Sequence, residues 1–278
     1  MAQQAASNSI GSPFIELQTI DSTNKYAMEL IHAGMAQHGT AVFAHSQTDG
    51  KGQRGKKWTA DAGFNIIISF IIKPDTLQIH EQFYLSAATA LAAHHFFSNY
   101  AGDETKIKWP NDLYWRDRKA GGILIESVIG SSPPVSDLVG RQLSVADTKK
   151  PIENKWQWAV IGIGININQT NFPDDLPNPV SLKQITGKTF EPIRLAKELC
   201  DLINKELNLL LAGKKNDIIQ RYNQSLYKLH EQVKMKQENR VFDVIIKGVS
   251  SSGKLMTTHA IDEEFEFGSV EWIIGKTD

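Results

Sequence analysis

The sequence predicts an α+β fold in which a mixed β-sheet is flanked by helices and followed by a small C-terminal β-barrel. The first observation is the apolar, β-branched run NIIISFII at residues 65–72, which suits a buried strand. The second is a pair of helical patterns, one with the centre AATALAAHHFF at 81–100, which suits a buried helix, and one amphipathic at 191–212. The third is a change near residue 230, after which short strand-like segments alternate with turns.

These patterns divide the 278 residues into three parts. Residues 1–13 are rich in Ala, Gln and Ser and lack the basic start and apolar core of a signal peptide, so we expect a disordered tail. Residues 14–229 form the main domain and residues 230–278 the small C-terminal domain. A polar stretch at 130–155 is longer than an ordinary connection and is predicted to be an accessory loop.

The main domain begins with a predicted strand, helix and strand. Residues 15–20 alternate apolar and polar side chains, as a half-buried strand does. The tetrapeptide Asp21-Ser22-Thr23-Asn24 supplies N-capping side chains for a helix that runs to about Ala33, where Gly34 can end it. A second strand is predicted at 40–44.

Further along the main domain, two strands are predicted around the polar turn Trp115-Arg116-Asp117-Arg118. Their ranges are 106–109 and 122–129, and another strand is expected at 158–165. The helix at 191–212 carries Cys200 on its apolar face, where we expect the thiol to pack and not to react. In the C-terminal domain, the predicted strands are 241–246, 254–260, 264–268 and 270–274.

The composition excludes several classes of protein. The chain has 30 basic and 31 acidic residues and a formal net charge of -1, whereas a protein that binds nucleic acid mainly through its electrostatic field is usually more basic. No stretch reaches the roughly 18 uninterrupted apolar residues of a membrane helix. The single cysteine excludes an intramolecular disulfide. We therefore expect a soluble, cytoplasmic protein that binds neither DNA nor membranes.

The densest chemical signal is the segment Gly50-Lys51-Gly52-Gln53-Arg54-Gly55-Lys56-Lys57-Trp58. Its three glycines let the backbone approach a ligand closely, and its four cations can neutralise phosphate, which favours an anion-binding loop over a solvated basic hairpin. The segment is not a P-loop, because Lys57 stands where a metal-binding Ser or Thr is required and a strand follows instead of a helix.

A second signal combines Lys108-Trp109-Pro110-Asn111-Asp112 with Lys119 and the double glycine Gly121-Gly122. Pro110 fixes a turn after a strand, so the polar pair behind it should project from the strand end. A lysine beside two glycines can contact a bulky ligand and screen the repulsion between a carboxylate and the phosphate that it attacks. The later GIGININ segment, residues 162–168, lacks the third glycine of a dinucleotide fingerprint.

Taken together, the chain resembles the biotin–protein ligases. The resemblance rests on DSTN, GKGQRGKKW, KWPNDLYW, RKAGGILIES and GIGININ, in the family's order, and covers residues 15–274. It implies a catalytic domain like that of class II synthetases and an SH3-like C-terminal barrel. Because only about 14 residues precede the first strand, it implies the monofunctional type without an N-terminal DNA-binding domain.

The resemblance also implies the roles of individual residues. The catalytic residues would be Lys119 and Lys51, and Asp112 would help to hold a metal ion. The biotin-binding residues would be Ser22, Thr23, Asn24, Gln47, Lys51, Gly52, Gln53, Lys119, Gly121 and Gly122. The ATP-binding residues would be Lys51, Gln53, Arg54, Trp58, Asn111, Lys119 and Asn166.

The implied reaction consumes biotin and MgATP, forms biotinyl-5′-AMP and transfers biotin to a lysine of a biotin carboxyl carrier protein. A lipoate–protein ligase shares the implied fold and chemistry and is the alternative. A biotin-dependent repressor and a non-catalytic binding module are less favoured. The protein would be a monomer or a homodimer. Gln53 stands where the family commonly has arginine, which leaves open whether Arg54 replaces it, and the resemblance does not explain the 130–155 insertion.

Overall fold

The computed structural model describes residues 9–130, 155–174 and 176–275. Most of the predicted tail and of the predicted accessory loop lie outside these residues. Ile10 is buried, and its N–H donates to Asn204 Oδ1 at 3.2 Å. The chain is therefore already packed at residue 10, before the predicted end of the tail at residue 13.

The main sheet has seven strands in the order β1-β2-β3-β7-β6-β5-β4. The strands are β1 (Phe14–Ile20), β2 (Ala41–Gln47), β3 (Ile66–Ile72), β4 (Thr105–Lys108), β5 (Asp112–Trp115), β6 (Arg118–Gly130) and β7 (Lys155–Ile165). Only the β1–β2 pair is parallel within this sheet. The prediction of a mixed sheet is confirmed.

The region around the polar turn differs from its prediction. The sequence predicted one strand on each side of this turn, but β4, β5 and β6 form an antiparallel meander, and β6 begins four residues earlier than expected. Strand β5 was missed because it has only four residues, follows a proline and begins with Asp112. Its pairing with β6 places Lys119 inside a strand and not in a turn.

Helices cover both faces of the main sheet. They are α1 (Thr23–His32), α2 (Gln82–Ala101), α3 (Leu182–Thr186), α4 (Pro192–Leu211) and α5 (Lys215–Gln224). Alternate residues of β3, such as Ile68 and Phe70, join the large core with α2 and α4, whereas Ile71 packs with Ala27 of α1. The burial of Cys200 raises the pKa of its thiol to about 12, which agrees with its expected packing role.

The second sheet is antiparallel and has the strand order β11-β10-β9-β8-β12. Its strands are β8 (Gln232–Gln237), β9 (Arg240–Val249), β10 (Leu255–Thr258), β11 (Asp262–Phe265) and β12 (Glu271–Ile273). The predicted domain boundary at residue 230 falls between α5 and β8. Strand β8 was missed because Met235 is its only buried side chain, so the strand carries almost no apolar signal.

Two sequence expectations about the whole chain can be compared with this fold. Among the described residues, no helix is long and apolar enough to cross a membrane. The small C-terminal sheet is consistent with the expected SH3-like barrel, and its buried residues join those of the main sheet in one core cluster.

Candidate functional site

A cavity of about 480 Å³ opens between the start of α1, the glycine-rich loop at 50–58 and the C-terminal segment at 267–274. Its volume is in the range of sites for small organic ligands. The predicted site residues that line it are Ser22, Thr23, Asn24, Gln47, Lys51, Gly52, Gln53, Arg54, Trp58, Asn111, Asp112, Lys119, Gly122 and Asn166. The cavity therefore gathers residues from five separate sequence motifs.

Gly121 is the one predicted site residue that does not line this cavity. A Cβ atom at Gly121 would lie 2.7 Å from the carbonyl oxygen of Gly164. Glycine is therefore needed at this position, because a side chain would prevent the close approach of β6 to β7. The direct contact with biotin that the sequence predicted for Gly121 has no counterpart in the geometry.

The register of the sheet places the floor of the cavity on one face. Ser69 of β3 lies opposite Gly162 of β7, and Gly164 of β7 lies opposite Gly122 of β6, which in turn pairs with Asp112. Residues that are directly opposite or two apart on a strand point to the same side of a sheet. The two β7 glycines thus leave room on this face, which the side chains of Asn24 and Trp58 occupy.

One end of the cavity is a buried group of uncharged polar side chains at the start of α1. Ser22 is the N-cap of α1, and its hydroxyl accepts a hydrogen bond from the Lys25 N–H. Both the N–H and the hydroxyl of Thr23 donate to Gln47 Oε1, at 2.7 and 3.1 Å. The predicted biotin-binding residues of this region therefore fix one another before any ligand arrives.

Two residues that the sequence analysis missed complete this polar end. Ser69 Oγ lies 2.6 Å from Asn24 Oδ1, and Asn24 Nδ2 donates to Glu126 Oε2 at 2.7 Å. A Cβ atom at Gly162 would lie 2.2 Å from Asn24 Oδ1, so only glycine leaves room for this amide. The available signal was a lone hydroxyl inside the apolar run of β3 and a lone carboxylate inside β6.

Another part of the cavity is formed by the cationic loop, which starts beside Gln47 because a Cβ atom at Gly50 would lie 2.7 Å from Gln47 Nε2. The loop folds as a narrow hairpin, in which the Gly52 N–H donates to Lys56 O and the Trp58 N–H donates to Gly50 O. A Cβ atom at Gly50 would lie 2.3 Å from Trp58 O, so the hairpin requires glycine there. The loop is a basic hairpin, and Lys51 at its base lines the cavity, while anion binding by the loop stays a prediction.

Arg54, at the tip of the loop, contacts the C-terminal sheet. Its backbone is left-handed, with a φ of 56°, and Nη2 donates to Gly268 O at 2.8 Å. The guanidinium also lies 5.8 Å from the centre of the Phe267 ring. The sequence analysis did not place C-terminal residues in the site, because contacts between residues more than 200 positions apart leave no local pattern.

Trp58 covers the centre of the cavity floor. A Cβ atom at Gly164 would lie 2.3 Å from Cε2 of the Trp58 indole, so the ring rests directly on the β7 backbone. Among the described residues, the buried Trp58 Nε1 has no hydrogen-bond partner. A flat aromatic surface with a free N–H is suited to stacking against a heteroaromatic base.

Lys119 lines the cavity beside Asp112 and Gly122. Its Nζ is 2.6 Å from Asp112 Oδ1, and each side chain is about a quarter to a third exposed, at 32% and 26%. Gly122 lies beside this pair, because a Cβ atom there would be 3.3 Å from Asp112 Oδ1 and 3.5 Å from Lys119 Nζ. An ammonium group that is held but still accessible can bind an anionic ligand group.

Lys108 is a further cation that the sequence analysis quoted in a motif but did not assign to the site. Its Nζ lies over the rings of Tyr114 and Trp272, 5.2 and 5.5 Å from their centres. Burial lowers the pKa of Lys108 to about 8; Asp112 opposes this shift, and Lys119 adds to it. Burial therefore destabilises the charged form of Lys108, which also lines the cavity.

The two predicted asparagines hold backbone in place. Asn111 Nδ2 donates to Ile123 O, and Asn166 Nδ2 donates to Val180 O at 3.1 Å and Lys119 O at 3.4 Å. Both amides thereby brace the strand that carries Lys119. Among the described residues, no three His, Cys, Asp or Glu side chains are grouped to hold a metal ion. A metal ion at Asp112 would therefore need most of its ligands from a bound substrate.

The arrangement can bind an elongated ligand that has an uncharged polar group at one end and anionic groups at the other. The neutral end supplies fixed hydrogen bonds, Trp58 supplies an aromatic surface, and the lysines supply positive charge. These features suit the joining of a carboxylate to a phosphate more than a reaction through a covalent enzyme intermediate.

Comparisons with known proteins agree with this geometry. A family model described as the biotin/lipoate A/B protein ligase family matches residues 16–136. The biotin–[acetyl-CoA-carboxylase] ligase of Paracoccus denitrificans is 30% identical over 196 residues, which cover 67% of this chain and 68% of that protein. The bifunctional ligase/repressor BirA of Bacillus spizizenii is 34% identical over 186 residues, or 66% of this chain.

The solved structure of a biotin protein ligase from Aquifex aeolicus in complex with biotin and ATP shares the fold. Its TM-score is 0.73 at 23% identity, and the match covers 94% of this chain and 99% of that one. The match to the Bacillus spizizenii protein, by contrast, spans only 50% of that protein's length. The shared fold, the gathered motifs and the Paracoccus denitrificans match lead to one conclusion: this chain belongs to the biotin–protein ligase family.

Proposed function

We propose that the protein is an ATP-dependent ligase that activates biotin as biotinyl-5′-AMP and transfers it to a lysine of a biotin carboxyl carrier protein. The observation that carries this proposal is that Lys119, paired with Asp112, lines the same cavity as a neutral polar group and a cationic loop. The names of the relatives support it, since one is a biotin–[acetyl-CoA-carboxylase] ligase and another structure holds biotin and ATP.

In the first step, a biotin carboxylate oxygen attacks the α-phosphorus of MgATP, and pyrophosphate leaves with the electrons of the broken P–O bond. The ureido ring of biotin lies at Ser22, Thr23 and Gln47, where hydroxyl and amide groups can satisfy its N–H and C=O groups. Lys119 contacts both the carboxylate and the α-phosphate. Its positive charge reduces their mutual repulsion and stabilises the charge that develops on the phosphorus oxygens.

In the second step, the ε-amine of the acceptor lysine attacks the acyl carbon of the mixed anhydride. An amide forms, and AMP leaves. Trp58 holds the adenine, and Lys51 at the base of the loop neutralises the α-phosphate during both steps. Magnesium would be held mainly by ATP phosphates and water, and Asp112, which pairs with Lys119, would be the carboxylate nearest to it.

A lipoate–protein ligase is the second candidate, because the matching family model covers both activities. The polar end of the cavity favours biotin. A dithiolane ring has no N–H or C=O group, so it could form no hydrogen bonds with the polar side chains of Thr23 and Gln47 that line this part of the cavity.

The test is to incubate the purified protein with MgATP and either biotin or lipoate, and to follow pyrophosphate release and the acyl-adenylate mass. We expect an adenylate with biotin and transfer to a carrier protein added afterwards. An adenylate with lipoate alone would assign the protein to the sister activity. No adenylate with either acid would contradict ligase function.

A further inference from the structure

Lys108 lies at one end of a row of residues that crosses the floor of the cavity. The pairing of four neighbouring strands places one residue of each directly opposite the next, in the order Gly164 of β7, Gly122 of β6, Asp112 of β5 and Lys108 of β4. Directly opposite residues point to the same side of a sheet, and with strands about 4.8 Å apart the row is roughly 14 Å long. The row leads from the Trp58 ring, which rests on Gly164, to Lys108, and both side chains line the cavity.

The order of groups along this row matches the order of the parts of ATP. In the proposed function, Trp58 holds the adenine and Lys119 contacts the α-phosphate. The Lys119 ammonium lies beside Gly122, which is the next position of the row after Gly164. Beyond Asp112 the next side chain is that of Lys108. A nucleotide that lies along the row therefore brings its β- and γ-phosphates to Lys108.

The charges around Lys108 favour a ligand group with several negative charges. Among the described residues, the cavity lining includes six cations but only two carboxylates, Asp112 and Glu271. Asp112 is paired with Lys119, and no carboxylate in the described part of the chain forms an ion pair with Lys108. Burial lowers the pKa of Lys108 to about 8; Asp112 opposes this shift, and repulsion by Lys119 and Lys56 adds to it. A bound polyanion would offset both the burial and the repulsion.

Two aromatic rings position the Lys108 ammonium without neutralising it. Its Nζ lies 5.2 Å from the centre of the Tyr114 ring and 5.5 Å from that of Trp272, which belongs to the C-terminal sheet. An aromatic face attracts a cation but carries no net charge. The full positive charge of Lys108 thus remains for a ligand.

We propose that Lys108, positioned by Tyr114 and Trp272, binds the β- and γ-phosphates of ATP and stabilises pyrophosphate as it leaves. When the bond between the α-phosphorus and the bridging oxygen breaks, its electron pair stays on that oxygen, which becomes part of pyrophosphate. The positive charge of Lys108 offsets this gain of negative charge. The inference rests on the proposed function and deepens it, because it gives the leaving group a subsite that includes a residue of the C-terminal domain.

The experiment separates the two half-reactions, with the full chain carrying Lys108→Met. Methionine keeps an apolar side chain of similar length beside the rings and removes the charge. The reverse of the first step is followed as ATP formed from biotinyl-5′-AMP and pyrophosphate. The second step is followed as transfer of biotin from supplied biotinyl-5′-AMP to a carrier protein, without pyrophosphate.

We expect Lys108→Met to raise KM for pyrophosphate and KM for MgATP about tenfold, the effect of one hydrogen bond to a charged group. The rate of transfer from supplied biotinyl-5′-AMP should stay within about twofold, because pyrophosphate takes no part in that step. The dissociation constant of biotin should also stay within about twofold, because biotin binds away from Lys108.

A matched control is Lys106→Met, which removes the neighbouring lysine of β4, a residue that does not line the cavity. It should leave KM for pyrophosphate unchanged. Trp272→Leu removes one of the two rings and should raise KM for pyrophosphate by about threefold. It provides the test if Lys108→Met fails to fold, which a thermal melt would show.

Each outcome is decisive. A rise in KM for pyrophosphate with unchanged transfer supports the subsite. An unchanged KM for pyrophosphate overturns it, as does an equal loss in both half-reactions, which would indicate a structural role. Slower transfer alone also overturns it and would assign Lys108 to the acceptor lysine. If the unmodified protein forms no biotinyl adenylate from biotin and MgATP, the proposed function fails instead, and the two failures are thereby distinguished.

Discussion

The two ends of the cavity are built on different physical principles. At the start of α1, Thr23, Asn24 and Ser69 are almost completely buried, and their polar groups are already paired within the protein. In the cationic loop, Lys51 and Lys56 are exposed, and Arg54 contacts Gly268 and Phe267 of the C-terminal domain. The first region recognises a ligand through hydrogen-bonding groups of fixed direction, and the second through positive charge.

The difference shows how one cavity can bind a ligand with two unlike ends. A neutral polar group gains little from charge but much from correctly oriented donors and acceptors, which only a buried and braced network can maintain. A phosphate group is bound well by mobile cations, which need less exact positioning. Lys119 lines the same cavity as both regions.

The largest expected effect follows removal of the Lys119 ammonium group. Lys119→Ala should lower the rate of biotinyl-adenylate formation by roughly a hundredfold or more, because a charge that stabilises the transition state is lost. Single-turnover pyrophosphate release measures this. Arg116→Ala, in the nearby turn and paired with Glu104, is the control. Equal rates for Lys119→Ala and the unmodified protein would contradict the central role of Lys119.

A pair of glycine substitutions on β7 should separate the two ends. A Cβ atom at Gly162 would displace Asn24, and one at Gly164 would displace Trp58. We expect Gly162→Ala to raise KM for biotin by roughly tenfold and Gly164→Ala to raise KM for MgATP by a similar factor, since each shift costs about one well-made contact. Isothermal titration and steady-state kinetics can check both. If each variant weakened both substrates equally, the two ends would not be independent.

The contact between the loop and the C-terminal sheet should have a smaller effect. Arg54→Ala removes the bond to Gly268 O and the contact with Phe267, and should raise KM for MgATP by roughly threefold to fivefold. Phe267→Leu should produce part of this effect. In the double variant, KM for MgATP should rise by less than the product of the two single increases. Full additivity would mean that the two residues act independently.

The smallest effect concerns pH and Lys108. The folded chain holds the Lys108 pKa at about 8, below its ordinary value of 10.5, because of burial. Between these two pH values the unfolded chain keeps a proton that the folded chain has released, so the contribution of Lys108 makes the free energy of unfolding rise with pH. Lys108→Met should therefore stabilise the protein near neutral pH, and this advantage should shrink as the pH approaches 10.5. Urea unfolding at several pH values measures the difference in unfolding free energy between Lys108→Met and the unmodified protein. A difference that does not change with pH would contradict the lowered pKa of Lys108.

Much of the candidate site could be predicted because its residues occur in short motifs. Ser22 was predicted as a helix cap and is one. Lys119 was predicted as a site residue from its neighbouring glycines and its motif, and it lines the cavity. Gly121 entered the prediction through the same motif, although its close neighbour is the β7 backbone. A motif identifies a segment but does not say which of its residues face the ligand.

The residues that were missed are those whose role depends on register or on distant contacts. Ser69 lies in a strand that is apolar on both faces, so alternation gave no indication of the side to which it points. Glu126 reaches Asn24 from 102 positions away. Lys108 became part of the site through Trp272, which belongs to the other sheet.

The sequence by itself determined the α+β class, the main helices, the glycine-rich cationic loop and the family resemblance, because these depend on local composition and spacing. The tertiary structure decided which face of β3 and β7 forms the cavity floor, and it brought Glu126, Phe267 and Trp272 to the site. The physical reason is that strand pairing and burial depend on partners far away in the chain. Their hydrogen bonds and contacts exist only after the chain has folded.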